Sequence, residues 1–414
     1  MYYEYSDIET EYLKRKDKHR ILPSAVLYGP NASGKSNVIL ALLTLQGIVD
    51  AGTVSARKSK VMSSLELFPF VHDGNKDPIA FEIEFVEGNE QFIYRLSIEV
   101  EPLKLNGKRC IVDEKLDLVL PKATATVFHR TKTGITVGNN RFMLGYLEKK
   151  NAVALQELVN NVIHNIDEEA LFLTGGFRST IRKAVADKVI GYITKKILPI
   201  VNLSEVFLDS AVILSNERLQ SGSNMISVQW FDDIIKAADF GPQKIGWREK
   251  DNDTGKQDLH ELEMVSIYLG SLIPSNLMES AGTVRLLRFS ILLREFMLNG
   301  GILLIDEMDN AIHPEITKAI IAMFGNQTMN KNGAQLVFTT HNPVYMDREL
   351  LRRDQILFTE RDPDSFESTL HSLGDFGSVN VRNDQSFMRN YFKGRYGRLP
   401  YVDLETILTK GMEG

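Results

Sequence analysis

Cysteine is almost missing from this sequence: Cys110 is the only one in 414 residues. The chain therefore forms no internal disulfide, and a reducing, cytoplasmic setting is expected. No apolar run approaches the roughly 20 residues that cross a bilayer, so a membrane partner is not expected. A surplus of positive charge is missing too. With 48 basic and 54 acidic residues the formal net charge is −6, which gives no bulk attraction for nucleic acid, so any such binding must use a local patch. Internal repeats, low-complexity tracts and long heptad runs are absent, which argues against a solenoid or an extended coiled coil. His72, His129, His164, His260 and His371 share no ligand spacing that suggests a metal site. The opening "MYYEYSDIETEYLKRKDKHR" is polar and acid-bearing, unlike a signal or transit peptide.

What is present is an ordinary globular composition, 43% hydrophobic and 25% charged, in a chain long enough for two or three lobes. "SAVLYG" reads as a short buried strand and "SNVILALLTLQGIVD" as a helix. "IAFEIEFVEGNEQFIYRLSIEV" alternates on both sides of "EGNE", the pattern of a β-hairpin, and strand-like "KRCIVDEKLDLVL" and "ATVFHR" follow. From about Leu144 to Ala238 the pattern turns helical, through "AVALQELVNNVIHNI", "STIRKAVADKVIGYITKKILPIV" and "WFDDIIKAADF". The polar "REKDNDTGKQDLHELE" then leads to a second α/β region beginning near Met264.

The chemistry concentrates in three places. Gly29, Pro30, Asn31, Ala32, Ser33, Gly34, Lys35 and Ser36, with Asn37 behind them, satisfy G-x-x-x-x-G-K-[ST] between a strand and a helix. Backbone N–H groups at such a helix start, with Lys35, neutralise the β- and γ-phosphates of ATP, and the Ser36 hydroxyl suits Mg²⁺. The second place is "GGILLIDEMDNAIHP", where a buried strand ends in Asp306 and Glu307. Adjacent carboxylates there are costly unless each has a task. A Mg·ATP site supplies both tasks, with Asp306 holding the Mg²⁺ shell and Glu307 orienting or deprotonating the attacking water. A strand ending in a solvated acidic turn is the alternative. Third, the strand "GAQLVFTTHNP" delivers His341 to a strand end, where a neutral imidazole can meet a γ-phosphate or the water.

"MESAGTVRLLRFSILL" resembles the signature motif of ABC-type ATPases, with Ser280 and Gly282 matching its serine and glycine and Thr283 where a glutamine or glutamate is frequent. Together with "DEMDNAIHP", "TTHNP" and the closing "SFMRNYFKGRYGRLPYVD", the chain resembles the RecF/SMC-like ABC ATPases. Within them it is most similar to the stand-alone bacterial defence ATPases of the AbiLi, RloA and OLD-like group. That resemblance implies an α/β P-loop ABC-type head with a β-rich subdomain and a helical insertion. Residues 1–143 would form the ATP-binding lobe, 144–263 the insertion and linker, and 264–414 the second ATPase lobe.

The resemblance also implies ATP and Mg²⁺ as cofactors. It implies head-to-tail dimers in which Ser280 completes a partner's site, an effector protein (toxin or nuclease), and a DNA or phage-encoded trigger. A RecF-like DNA repair clamp is the alternative, and an OLD-like nuclease a further one. Family members carry an aromatic or basic adenine contact before the phosphate loop, a stretch where this chain offers Tyr2 and Tyr3. Gln91 and Gln156 are the candidates for a Mg²⁺-sensing glutamine, and His313 stands where an aspartate is usual, as in the "LHP" version of OLD-like proteins.

Two weaker patterns complete the reading. Asp362 and Asp364 have a D-x-D spacing compatible with a nuclease metal, though an aspartate-rich turn explains it as well. Arg178, Arg182, Lys183, Lys195 and Lys196, and then Arg389, Lys393, Arg395 and Arg398, cluster as solvated helix faces or as a nucleic-acid surface.

Overall fold

The computed structural model describes residues 21–55, 77–101, 108–138, 165–201, 226–227, 241–249, 262–310, 312–376 and 386–396. Nearly all of "AVALQELVNNVIHNI", all of "WFDDIIKAADF", most of the polar segment after it, and Tyr2, Tyr3, Gln156, His72, His164, His260 and Arg398 lie outside the described residues. So does the expected boundary at 143/144.

The chain divides into two compact units, one made of 1–39 with 200–414 and the other of 40–199. The first holds strands β1 (Ser24–Tyr28), β12 (Ile302–Ile305), β13 (Gln335–Thr339), β14 (Ile356–Arg361) and β15 (Ser368–Ser372), and β7 (Ile197–Ile200) of the same sheet falls across the division at 199/200. Their order is β15-β14-β1-β13-β12-β7. β1 runs parallel to β13 on one side and to β14 on the other, β12 is parallel to β13, and β15 returns antiparallel along β14. Parallel strands buried on both faces need continuous apolar sequence. "AVLY" and "ILLI" supply it: Val26, Leu27, Tyr28, Leu303 and Ile305 are all fully buried.

The sheet places the ends of β1, β12 and β13 side by side, and the loops leaving those ends carry the three motifs. Helix α1 (Lys35–Ala51) follows the loop after β1. A second, antiparallel sheet in order β11-β10-β9-β8 uses β8 (Ile226–Ser227), β9 (Lys244–Glu249), β10 (Leu262–Tyr268) and β11 (Ser271–Pro274). β10 runs across the expected boundary at 263/264, because Leu262 to Ile267 pair continuously with β9.

The other unit holds a five-stranded antiparallel sheet, β2 (Ile79–Glu87), β3 (Glu90–Val100), β4 (Arg109–Leu120), β5 (Ala123–Thr131) and β6 (Gly134–Val137), in sequential order. The β2–β3 hairpin closes at Gly88 with φ +64°, as its alternation and "EGNE" turn predict. The continuous helix expected over 179–201 is not observed. A π-helix, Leu173–Ile181, ends at extended Arg182; α2 (Lys183–Gly191) and a second π-turn, Tyr192–Lys196, follow, and "ILPI" becomes β7. Pro199 cannot donate to a helix, and an edge strand tolerates it.

Candidate nucleotide site

The phosphate loop is fixed from beneath by β14. Thr359 Oγ1 donates to the Tyr28 carbonyl (3.2 Å) and shares a 2.6 Å hydrogen bond with Ser33 Oγ. Gly29 has φ +159° and Gly34 φ +103°; a Cβ on Gly29 would lie 2.4 Å from Thr359 Oγ1, and one on Gly34 3.0 Å from Ser368 Oγ. Both glycines are demanded by close approach, and Gly34 also by its left-handed backbone. Ala32 adopts φ +61° without being glycine. Lys35 is 7% exposed and donates to the carbonyls of Gly29 and Pro30, both at 2.9 Å, so its ammonium arches across the loop. Burial pushes that ammonium below its usual range, while Asp306 and Glu307 pull it back up.

The two carboxylates are held by one side chain. Thr339, fully buried at the end of β13, donates its hydroxyl to Asp306 Oδ1 and accepts the N–H of Glu307 on the same oxygen at 2.9 Å. The Asp306 N–H is taken by the Ile200 carbonyl at 2.9 Å. Asp306 is 8% exposed, whereas Glu307 is exposed and sits at φ +45°, a conformation that costs a non-glycine residue on the order of 1 kcal/mol or more. Arg285, on helix α4 (Ala281–Asn299), which follows the short helix α3 (Ser275–Met278), donates Nη2 to the Glu307 carbonyl at 3.0 Å. The Glu307 backbone is thereby pinned from both β13 and α4.

His341 lies just beyond β13 and reaches solvent. Neighbouring protein still strips part of its water, and this, with Lys35, holds its pKa below the usual histidine range against the pull of Glu307, Asp309 and Asp306. The imidazole is thus neutral near pH 7 and senses the same charges as Lys35. Ser280 is exposed and caps α4: its Oγ accepts the Thr283 N–H at 3.1 Å and lies 2.9 Å from Thr283 Oγ1. Gly282 and Thr283 form the first turn, so the residues of the expected signature make up a helix N-terminus that exposed Ser280 caps. His313 caps α5 (Pro314–Gly325) by accepting the Glu315 N–H on Nδ1 at 3.3 Å, with Pro314 at the first helical position.

The structure thus brings the loop, Asp306, Glu307 and His341 to one edge of one sheet. Gln91 instead donates to Glu84 within the β2–β3 hairpin. The D-x-D pair is a turn: Asp362 Oδ1 accepts the N–H groups of Asp364 (2.9 Å) and Ser365 (2.8 Å). Within the first basic cluster, Arg178 pairs with Asp187 and Lys196 with Glu87. Thr339, Thr359 and Arg285 escaped the sequence reading. The threonine pair before His341 was a visible hint for Thr339; nothing local marks Thr359 or Arg285.

The residues fit a magnesium nucleotide. A glycine loop with no room for a Cβ, a lysine arched over it, a serine hydroxyl at Ser36 and a carboxylate at Asp306 form a hard-oxygen, phosphate-ready set. Among the described residues no group of three or more His, Cys, Asp or Glu could hold a metal.

The profile of a family described as "AAA domain, putative AbiEii toxin, Type IV TA system" matches residues 24–142 and 157–347, three quarters of the chain. A search of curated proteins found no match. Among solved structures, the chain is similar to the SMC head domain from Thermotoga maritima, at 11% identity and TM-score 0.32, over 84% of this chain and 89% of that one. It is also similar to the Smc head domain from Pyrococcus furiosus, solved with an extended coiled coil and bound to the C-terminal domain of ScpA. That match is at 14% identity and TM-score 0.33, over 84% and 89% of the two chains.

Proposed function

The chain belongs to the AAA-domain family described as putative AbiEii toxin of type IV toxin–antitoxin systems, and from that premise we propose that it is an ABC-type ATPase whose hydrolysis switches a head-to-tail dimer. The observation that carries this reading is Thr339, whose one hydroxyl holds both Asp306 and Glu307 at the strand end beside the lysine-bearing loop. Lys35 neutralises phosphate charge, and the loop N–H groups orient the triphosphate. Ser36 and Asp306 would hold Mg²⁺, which when bound would supply positive charge to offset that of the phosphates. Glu307, which is exposed, takes or orients the proton of the attacking water, and neutral His341 donates toward the γ-phosphate.

The outward N-terminus of α4 completes a second copy's site. Ser280 and the N–H groups behind it donate to the γ-phosphate there, so ATP joins two chains and hydrolysis parts them. In biology we assign the switch to bacterial anti-phage or abortive-infection defence, with a separate toxin or nuclease as effector, in keeping with the toxin–antitoxin description of the family.

Complementation tests the dimer. Ser280→Arg blocks closure by bulk and charge while leaving each phosphate loop intact, so this variant binds ATP without hydrolysing it. Mixed with Lys35→Ala protein, it forms some dimers with one intact site, and hydrolysis returns in part. A Ser280→Arg protein that hydrolyses ATP at the unmodified rate would refute the shared site.

A further inference from the structure

We propose that the tip of the β14–β15 hairpin is the base-binding site of the nucleotide, with a purine stacked on the Arg361–Phe366 pair. The proposal rests on the reading of residues 29–36 as a phosphate loop and adds the part of the ligand that this loop does not touch.

Sheet order fixes which way the nucleotide lies. β1 delivers the phosphate loop, and its two neighbours differ. On one side β13, and beyond it β12, carry His341, Asp306 and Glu307, the groups suited to the terminal phosphate. The reacting end of the triphosphate therefore faces β13, and the nucleoside leaves toward β14. Whatever lies beyond the loop on that side meets the base.

The hairpin there turns one face to the phosphate loop. Thr359 hydrogen-bonds Ser33 at 2.6 Å. Arg361 is two residues on, and side chains two apart on a strand share a face. Ser368 is the direct antiparallel partner of Arg361, and its hydroxyl is the atom a Gly34 Cβ would meet at 3.0 Å. Thr359, Ser368 and Arg361 thus form one row along the loop, and Arg361 is its outermost member.

At the end of that row stands an exposed cation–aromatic pair. The Arg361 guanidinium lies 4.9 Å from the centre of the Phe366 ring, and its Nε donates to the Phe366 carbonyl at 3.2 Å. Phe366 is 55% exposed and has φ +61°. The turn that presents it is fixed by Phe366 N–H to Asp362 O (3.0 Å) and Asp362 N–H to Glu367 O (2.8 Å). A large ring on a left-handed turn residue is neither core nor a turn preference, since glycine or asparagine serves that backbone better. A flat ring and a flat guanidinium, preset beside a phosphate loop, form a stacking platform for a base, with the arginine adding attraction to its π-face.

The experiment separates base from phosphate. Binding of Mg·ATP and of inorganic tripolyphosphate with Mg²⁺ is measured by calorimetry on the full chain, as the unmodified protein, Phe366→Ala, Phe366→Gly and Arg361→Gln. Loss of stacking should weaken ATP about tenfold in both Phe366 variants, and less in Arg361→Gln, with tripolyphosphate unchanged. Phe366→Gly relaxes the turn, so weakened ATP binding in that variant cannot come from a collapsed loop. In Phe366→Trp, emission should be quenched by ATP and not by tripolyphosphate. ATP affinity within twofold of unmodified in all the variants overturns the proposal, as does an equal loss for both probes, which would make the hairpin a prop for the loop. If the unmodified chain binds neither probe, the phosphate-loop reading itself fails and takes the base site with it.

Discussion

Each of the two units buries a carboxylate, and the two are treated in opposite ways. Glu114, midway along β4, has no exposure and is saturated: it accepts the N–H groups of Phe172 (2.7 Å) and Leu173 (2.9 Å) and the Tyr94 hydroxyl (3.1 Å), with Arg130 at 3.8 Å. Asp306 is buried at a strand end with one threonine hydroxyl on Oδ1, and its neighbour Glu307 is turned outward on strained backbone. A carboxylate whose oxygens are consumed by the chain's own donors is a structural post. Carboxylates placed where strands stop, with a lysine in electrostatic reach, are the ones left open to a ligand in the function we propose.

The sharpest way to break that contrast is at the site itself. Lys35→Ala should cost both ATP affinity and turnover, whereas Glu307→Gln should keep ATP bound and lower turnover by about 10²-fold or more. Calorimetry with phosphate release distinguishes them, and equal loss of binding in both variants would remove Glu307 from its role.

In the other unit the expected loss is of stability. Glu114→Ala strips two buried N–H groups of their acceptor and leaves Arg130 without its carboxylate, a cost of about 3–5 kcal/mol by urea unfolding. Its pH behaviour sharpens the point. Burial raises the Glu114 pKa, with the Leu173 and Phe172 N–H groups and Arg130 opposing. The folded state therefore holds this proton more tightly than the unfolded one. Its contribution is fully present below the ordinary glutamate pKa and is lost as pH rises from there through the raised folded value. Glu114→Gln should flatten that decline, and an unchanged pH profile would show that the carboxyl is not the source.

A smaller effect is expected where the carboxylates are positioned. Thr339→Val removes the hydroxyl shared by Asp306 and Glu307, and Arg285→Met removes the α4 tie to the Glu307 carbonyl. Each should lower turnover about tenfold, with ATP affinity within about threefold, since neither side chain bonds the phosphate loop. The smallest effect is none. Asp362→Asn with Asp364→Asn preserves an Asx-type turn, so ATPase rate and melting temperature should stay within error. Metal-dependent DNA cleavage lost in that double variant would restore the nuclease reading.

Legibility followed sequence separation. β1, the loop and the start of α1 are neighbours in the chain, and their order was readable because backbone propensity and glycine geometry act over a few residues. The β2–β3 hairpin was readable for the same reason. "STIRKAVADKVIGYITKKILPIV" misled because its apolar spacing suits a helix, while Ile197–Ile200 near its end are drawn into the sheet. A short apolar run looks the same whether a helix or a strand buries it.

Local pattern sufficed to read the chemistry on offer: a loop that can hold phosphates, two carboxylates and a histidine at strand ends, and a serine ahead of a long helix. How these groups meet was settled by long-range packing. Thr359 reaches Ser33 across 326 residues of chain, Thr339 gathers both carboxylates, and Arg285 ties helix α4 to Glu307. It also decided that Glu114 is a post and that Thr359 and Ser368 back the glycines of the loop. The reason is physical: local pattern sets each strand's faces, but which strands become neighbours depends on how the whole sheet buries its apolar surface.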